Sequence, residues 1–116
     1  MKRPTHKELY NKIKAAKEAV SNNSVLIVNP DSIAADALDL DYLVEDLSEI
    51  LASLLDEISP NDYAGQHPPE RAYEAQIKER ELFPFKWHSE LFGCRIYFKI
   101  TLIEDILWLV SLHRDR

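Results

Sequence analysis

Arg95, Tyr97 and Lys99 alternate with Ile96, Phe98 and Ile100 in one short run toward the end of a 116-residue chain. In an extended strand successive side chains point to opposite faces. This spacing therefore puts a guanidinium, a phenol and an ammonium on one side and three apolar groups on the other. A second run, Ile106 to His113, brings Ser111 and His113. If a three-residue turn sets Leu102 opposite Ile106, Tyr97 faces Ser111 and Arg95 faces His113, pairs about 5 Å apart. Arg95, Tyr97, Lys99, Ser111 and His113 then share a face, with Lys86, His88, Arg114 and Arg116 near its rim. Cations hold phosphate, and a tyrosine with a histidine that titrates near neutrality can move protons. A sheet face wetted by solvent also carries Arg, Lys, Thr and Tyr without any activity.

The elements that must position this face read as helices first and strands last. Thr5 with Glu8 has the spacing of a capping box, and the helix it starts, His6 to Val20, carries Leu9, Tyr10, Ile13, Ala16 and Val20 as its apolar stripe. Val25 to Val28 is β-branched and extended. Pro30 restarts a short helix to about Leu38. Leu43, Leu47, Ile50, Leu51, Leu54, Leu55 and Ile58 keep a 3.6-residue period, with Asp41 placed to cap their helix. Pro60 to Asp62 ends it, and Tyr63 to Pro69 is a loop. The stretch Arg71 to Glu81 fits a short strand or a helical turn equally. Strands follow at Leu82 to Trp87, Arg95 to Leu102 and Ile106 to His113. In the last, Ile106, Trp108, Val110 and Leu112 are expected inside, with Leu107, Leu109, Ser111 and His113 outside. Outward leucines imply a cover, from a helix of this chain or from a partner. The order predicts an α+β fold, N-terminal helices packed on a C-terminal antiparallel sheet, in one domain spanning residues 1 to 116.

Composition narrows the function. The formal charge of −6 works against phosphate binding, but its distribution is uneven. Residues 1 to 20 hold six basic and two acidic side chains, 21 to 69 none and ten, and 70 to 116 eight and eight. The last third is balanced and can still gather its cations on one face. No apolar run approaches the roughly 20 residues of a membrane span. The basic N-terminus is not followed by the apolar stretch of a secretory signal, so the cytoplasm is the expected location. The single cysteine, Cys94, makes no internal disulfide. His6 and His67 lack the ligand spacing of a metal site, and no phosphate loop, nucleophile elbow or HExxH motif is present. No metal or other cofactor is expected.

The run Gly93 to Leu107, continuing through Val110-Ser111-Leu112-His113, resembles the C-terminal end of the MqsR toxins. Ala37 to Tyr42 with the helix after it, and then Asp62-Tyr63, look like that family's helix and its Asp-Phe-Tyr turn. The resemblance spans about residues 24 to 113 and is weak between 64 and 92. It implies a RelE-like fold and a messenger-RNA interferase, the toxin of a type II toxin-antitoxin pair, in which the RNA 2′-hydroxyl attacks the adjacent phosphate without a metal. The partners implied are RNA and a cognate antitoxin protein. Carried over, the family's strand tyrosine falls on Tyr97 and its C-terminal lysine on His113, a departure that keeps a group able to move protons. Its other lysine falls near Gly65 and is missing, with His67 or Arg71 as possible substitutes. Its glutamine falls near Glu74 or Gln76. Tyr97 and His113 are thus the expected catalytic pair, with Arg95, Lys99, Lys86, Arg71 and Arg114 as RNA contacts. The competing reading is a non-catalytic protein-binding or regulatory module of the same fold, favoured by the incomplete cation set.

Overall fold

Thr5 starts the first helix as expected: the Glu8 backbone N–H donates to its hydroxyl at 3.1 Å. Residues 4 to 66 and 69 to 116 are described by the computed structural model. Met1, Lys2, Arg3, and the loop residues His67 and Pro68, lie outside them. Helix α1 (His6–Ser21) buries Leu9, Ile13, Ala16, Ala19 and Val20. Tyr10 is exposed instead, one step off that stripe. Helix α2 (Pro30–Leu40) begins with Pro30 in its first turn and Asn29 as its cap, and runs two residues past its expected end. Asp41 does not cap the next helix. It ends α2 in the left-handed region, at φ 62°, which an aspartate tolerates better than most side chains. The chain then runs through a short 3-10 turn, Val44–Asp46, into helix α3 (Leu47–Glu57). Leu43 falls in the corner and is turned to solvent, although its period matches Leu47, Leu51, Leu54 and Leu55, all buried.

Four strands follow the order β1-β4-β3-β2: β1 (Val25–Ile27), β2 (Phe83–Ser89), β3 (Cys94–Ile103) and β4 (Ile106–Arg114). The fold is α+β, with the helices on one side of the sheet. The sheet is mixed, not purely antiparallel, because β1 adds to the edge of β4 in parallel, Val25 beside Leu107 and Ile27 beside Leu109. Phe85 and Trp87 of β2, Ile96, Phe98 and Ile100 of β3, and Leu107, Leu109 and Leu112 of β4 meet α1, α2 and α3 in the main core. Among the described residues no helix is long and apolar enough to cross a membrane.

The β3–β4 hairpin differs from expectation in a way that decides the site. Its turn is shorter by one residue: Ile103 pairs with Ile106 across Glu104 and Asp105, with Glu104 at φ 57°. Further along, Ile100 pairs with Leu109 but Lys99 with Ser111, so Val110 is an extra, unpaired residue. Such a bulge resets the alternation of its strand. Leu107 and Leu109 therefore face the helices before the bulge and Leu112 after it. Trp108 and Val110 face outward, the reverse of the simple alternation.

Those outward apolar groups are covered by the chain itself. Residues 70 to 82 fold back as a flap, closed by Leu82 N–H to the Glu70 carbonyl at 2.9 Å and by reciprocal bonds among Ala72, Glu79 and Arg80. The ambiguous stretch holds a little of each: a single bridge joins Arg71 to Glu81, and Ala75–Ile77 makes one 3-10 helical turn. Val28, Ala72, Ile77 and Leu82 form a second buried cluster against Ile103, Trp108 and Val110. The Thr101 hydroxyl donates to the Glu81 carbonyl at 2.8 Å and ties the flap to the sheet.

Candidate functional site

Beyond the flap the outer face is open, and the shifted register brings Tyr97 and His113 directly opposite one another. Their rings stack, with centroids 5.2 Å apart and planes 23° from parallel. Lys86 lies across from Tyr97 on β2, and His88 across from Arg95. The Lys86 and Lys99 ammonium groups stand 5.6 and 5.9 Å from the Tyr97 ring centroid, within cation–π range. Ser111 sits beside Lys99 on the neighbouring strand. The expected grouping of Arg95, Tyr97, Lys99, Ser111 and His113 is therefore formed, with Lys86 and His88 at its rim. Tyr97 faces His113 rather than Ser111.

His113 is oriented by the backbone: its Nδ1 lies 2.6 Å from the Arg114 carbonyl oxygen. A carbonyl only accepts, so Nδ1 carries the proton, and in the neutral ring Nε2 is left as a free acceptor. The Tyr97 hydroxyl is held above the usual tyrosine range, by burial first and by the Glu70 and Asp115 carboxylates, against the opposing pull of Lys99. It stays protonated near neutrality and has a proton to donate. Lys99 is also pushed up: burial works against its charge, but the Glu70 carboxylate, Tyr97 and Glu74 outweigh it. It remains an ammonium.

Each of these cations already has an acidic partner. Lys99 pairs with Glu70 at 3.0 Å, and Asp115 takes both Arg95 at 3.0 Å and Lys86 at 3.4 Å. Asp115 is held below the usual carboxylate range, its own burial being outweighed by Arg95 and Lys86. Sequence reasoning passed over Glu70 and Asp115. Alternating charge along the last third was the signal that could have found them.

Arg114 and Arg71 do not join the site. Arg114 is turned to the helix side, where its guanidinium donates to the Asp39 carboxylate at 3.0 Å and to the Asp39 carbonyl at 3.4 Å. Alternation along β4 does this, since with His113 outward its neighbour points inward. Arg116 pairs with Asp36 of α2 at 3.2 Å. Arg71 belongs to the flap and donates to the Glu79 carbonyl at 2.9 Å. It lines a separate cleft with Lys12, Lys78 and Arg80. His67 lies outside the described residues. At Gly65 a Cβ would strike the Tyr63 hydroxyl, so a lysine cannot enter there without moving a buried ring.

The loop between β2 and β3 is anchored from below by Glu57, at the end of α3. Its carboxylate accepts from the Trp87 indole N–H at 2.8 Å and from the Leu91 backbone N–H at 2.9 Å. Burial disfavours its charge, but these donors outweigh that and keep its pKa below the usual range. Among the described residues no group of three or more His, Cys, Asp or Glu side chains is placed to hold a metal ion. Compared with protein-family models and with curated protein sequences, the chain matches none.

Proposed function

We propose that the open half of the sheet is the active surface of an MqsR-like messenger-RNA interferase, the toxin of a type II toxin-antitoxin pair acting in the cytoplasm. The observation that carries this reading is the stacking of Tyr97 on His113 between Lys86 and Lys99. In the reaction, His113 Nε2 takes the proton of an RNA 2′-hydroxyl, whose oxygen attacks the neighbouring phosphorus. The bond from phosphorus to the 5′-oxygen breaks, and the Tyr97 hydroxyl donates a proton to that leaving oxygen. One product ends in a 2′,3′-cyclic phosphate and the other in a free 5′-hydroxyl. Lys99, Lys86 and Arg95 offset the charge that builds on the phosphoryl oxygens. The ion pairs that hold them at rest do not forbid this. Arg95 is largely exposed in its pair with Asp115, and exposed pairs are worth little. An incoming phosphate therefore draws Arg95 away at small cost, while the half-buried Lys99–Glu70 pair holds its ammonium in place.

The second reading is a non-catalytic binding or regulatory module of the same fold. The same carboxylates favour it, because they leave the face nearly neutral. Inducing the protein alone in a bacterial host, beside the Tyr97→Phe/His113→Ala double variant, separates the two. Growth arrest with transcript cleavage, absent in the variant, supports the interferase with its antitoxin as the natural neutraliser. Normal growth with abundant soluble protein and intact transcripts moves the assignment to the binding module.

A further inference from the structure

The acidic middle of the chain has its own geometry, on the helical layer and away from the face that carries Tyr97. At the corner between α2 and α3 three large apolar side chains point to solvent: Leu38 is 85% exposed, Leu43 65% and Val44 39%. Exposed leucines are ordinary when single, but here Leu38 and Leu43 line one concave patch. Ala37, Leu38, Asp41, Tyr42, Leu43 and Asp46 line a cavity of about 350 Å³.

The backbone builds this corner. Asp41 stops α2 at φ 62°, the chain runs extended through Leu43, and the 3-10 turn then lifts Val44 before Leu47 returns to the core. Tyr42 contributes to the cavity wall, with its ring against Phe92 at 5.8 Å between centroids. Its hydroxyl is buried and has no hydrogen-bond partner among the described residues. Burial, with Asp36 nearby, pushes that hydroxyl up to about 12, so it is a donor without an acceptor.

Around the leucines the charge left without an ion-pair partner among the described residues is acidic. Asp36 and Asp39 are paired with Arg116 and Arg114. Asp41, Glu45 and Asp46 are exposed and have no ion pair among the described residues. A nucleic acid is repelled by such a rim, and no strand edge is present here for an added strand. What fits is a partner that brings apolar side chains to the cavity and cations to its border.

We infer that this corner docks a basic amphipathic helix from another protein, whose leucine-like stripe enters the cavity while flanking Lys or Arg meet Asp41, Glu45 and Asp46. A second copy of this chain is a poorer occupant. The outer face of α1 is basic, through Lys7, Lys12, Lys14 and Lys17, but the apolar stripe of α1 is already buried in its own core.

The probe is a labelled synthetic helix of leucine and lysine, with its leucines on one stripe, titrated into the full chain at several salt concentrations. A peptide of the same composition with the leucines scattered is the control. The wild-type protein binds the striped peptide and discriminates against the scattered one. Leu38→Ser with Leu43→Ser weakens binding by about tenfold or more, on the scale of lost apolar anchors. Asp41→Asn with Asp46→Asn weakens it and flattens its salt dependence. All four side chains are solvent-exposed, so melting temperatures stay near wild type. Absence of binding, equal binding of both peptides, or unchanged affinity in the leucine variant overturns the proposal. So does a leucine-dependent dimer of the protein alone, which assigns the corner to self-association.

Discussion

The outer face of the sheet is finished in two ways. At the Thr101 and Trp108 end it is roofed by the flap, and its half-buried apolar side chains pack against a small core of the chain's own making. At the Tyr97 and His113 end the roof stops, and the side chains are polar, stacked and paired with carboxylates. One strand pair builds both halves, so the difference lies in what faces outward on either side of Val110. An outward Trp or Val must be covered, whereas an outward Lys or Arg needs only a counter-charge. The face left uncovered is the one that can meet a ligand.

The sharpest way to break this comparison is to test the bulge that divides the halves. Leu109 is fully buried toward the helices, so Leu109→Asp is expected to destabilise the protein by about 4 kcal/mol through an unpaired buried charge. Val110→Asp, on the flap side and only partly buried, should cost clearly less. Chemical denaturation measures both, and the reverse order would show that the strand keeps simple alternation. Next in size is the roof itself. Ile77→Ala removes the flap's most buried side chain and should cost about 2–3 kcal/mol, with little change in the ring signals of Tyr97 and His113 by NMR. If those signals shift as much as Trp108's, the two halves are not separate.

Much of this arrangement was legible in the sequence, because period-two alternation from Phe83 to Leu102 and period-3.6 spacing in α1 and α3 reflect burial directly. The grouping of Arg95, Tyr97 and Lys99 follows from alternation alone. The pairing of Tyr97 with His113 does not, since it depends on a two-residue turn and an unpaired Val110 that no composition rule announces. Val110 carries none of the glycine that often marks a bulge. Leu43 misled for a related reason: its spacing fits α3, but the left-handed Asp41 consumes the turn it would have occupied. Arg114 follows from alternation too: with His113 outward its neighbour points to the helices, where Asp39 meets it, so it is not at the rim of the open face. The flap was ambiguous because its order comes from Leu82, Ile77 and Ala72 meeting Trp108, which is a tertiary contact and not a local preference.

A smaller effect probes the floor beneath the open half. Glu57→Gln should cost about 1–2 kcal/mol by weakening charge-assisted bonds to Trp87 and Leu91. Its pKa is lowered on folding, so the stabilisation is full above the unfolded value, near 4.3 on the reference scale, and is lost as pH falls through the folded one. Melting curves of wild type and variant should therefore differ at neutral pH and converge in acid. A gap that persists unchanged into acid would assign the loss to packing. Smallest in stability is the open half: Tyr97→Phe should change folding by less than about 0.5–1 kcal/mol, because the ring is kept and the hydroxyl is not part of the core. A large loss there would make Tyr97 structural.

The most direct test of the open half as a reactive surface is to incubate purified protein with end-labelled RNA in the presence of a chelator, with and without ribosomes, and to identify the new termini. Cleavage that yields 2′,3′-cyclic phosphate and 5′-hydroxyl ends, and that disappears in Tyr97→Phe/His113→Ala with the fold unchanged, is the expected result. Intact RNA under both conditions with folded wild-type protein, or cleavage that survives in the double variant, would contradict it.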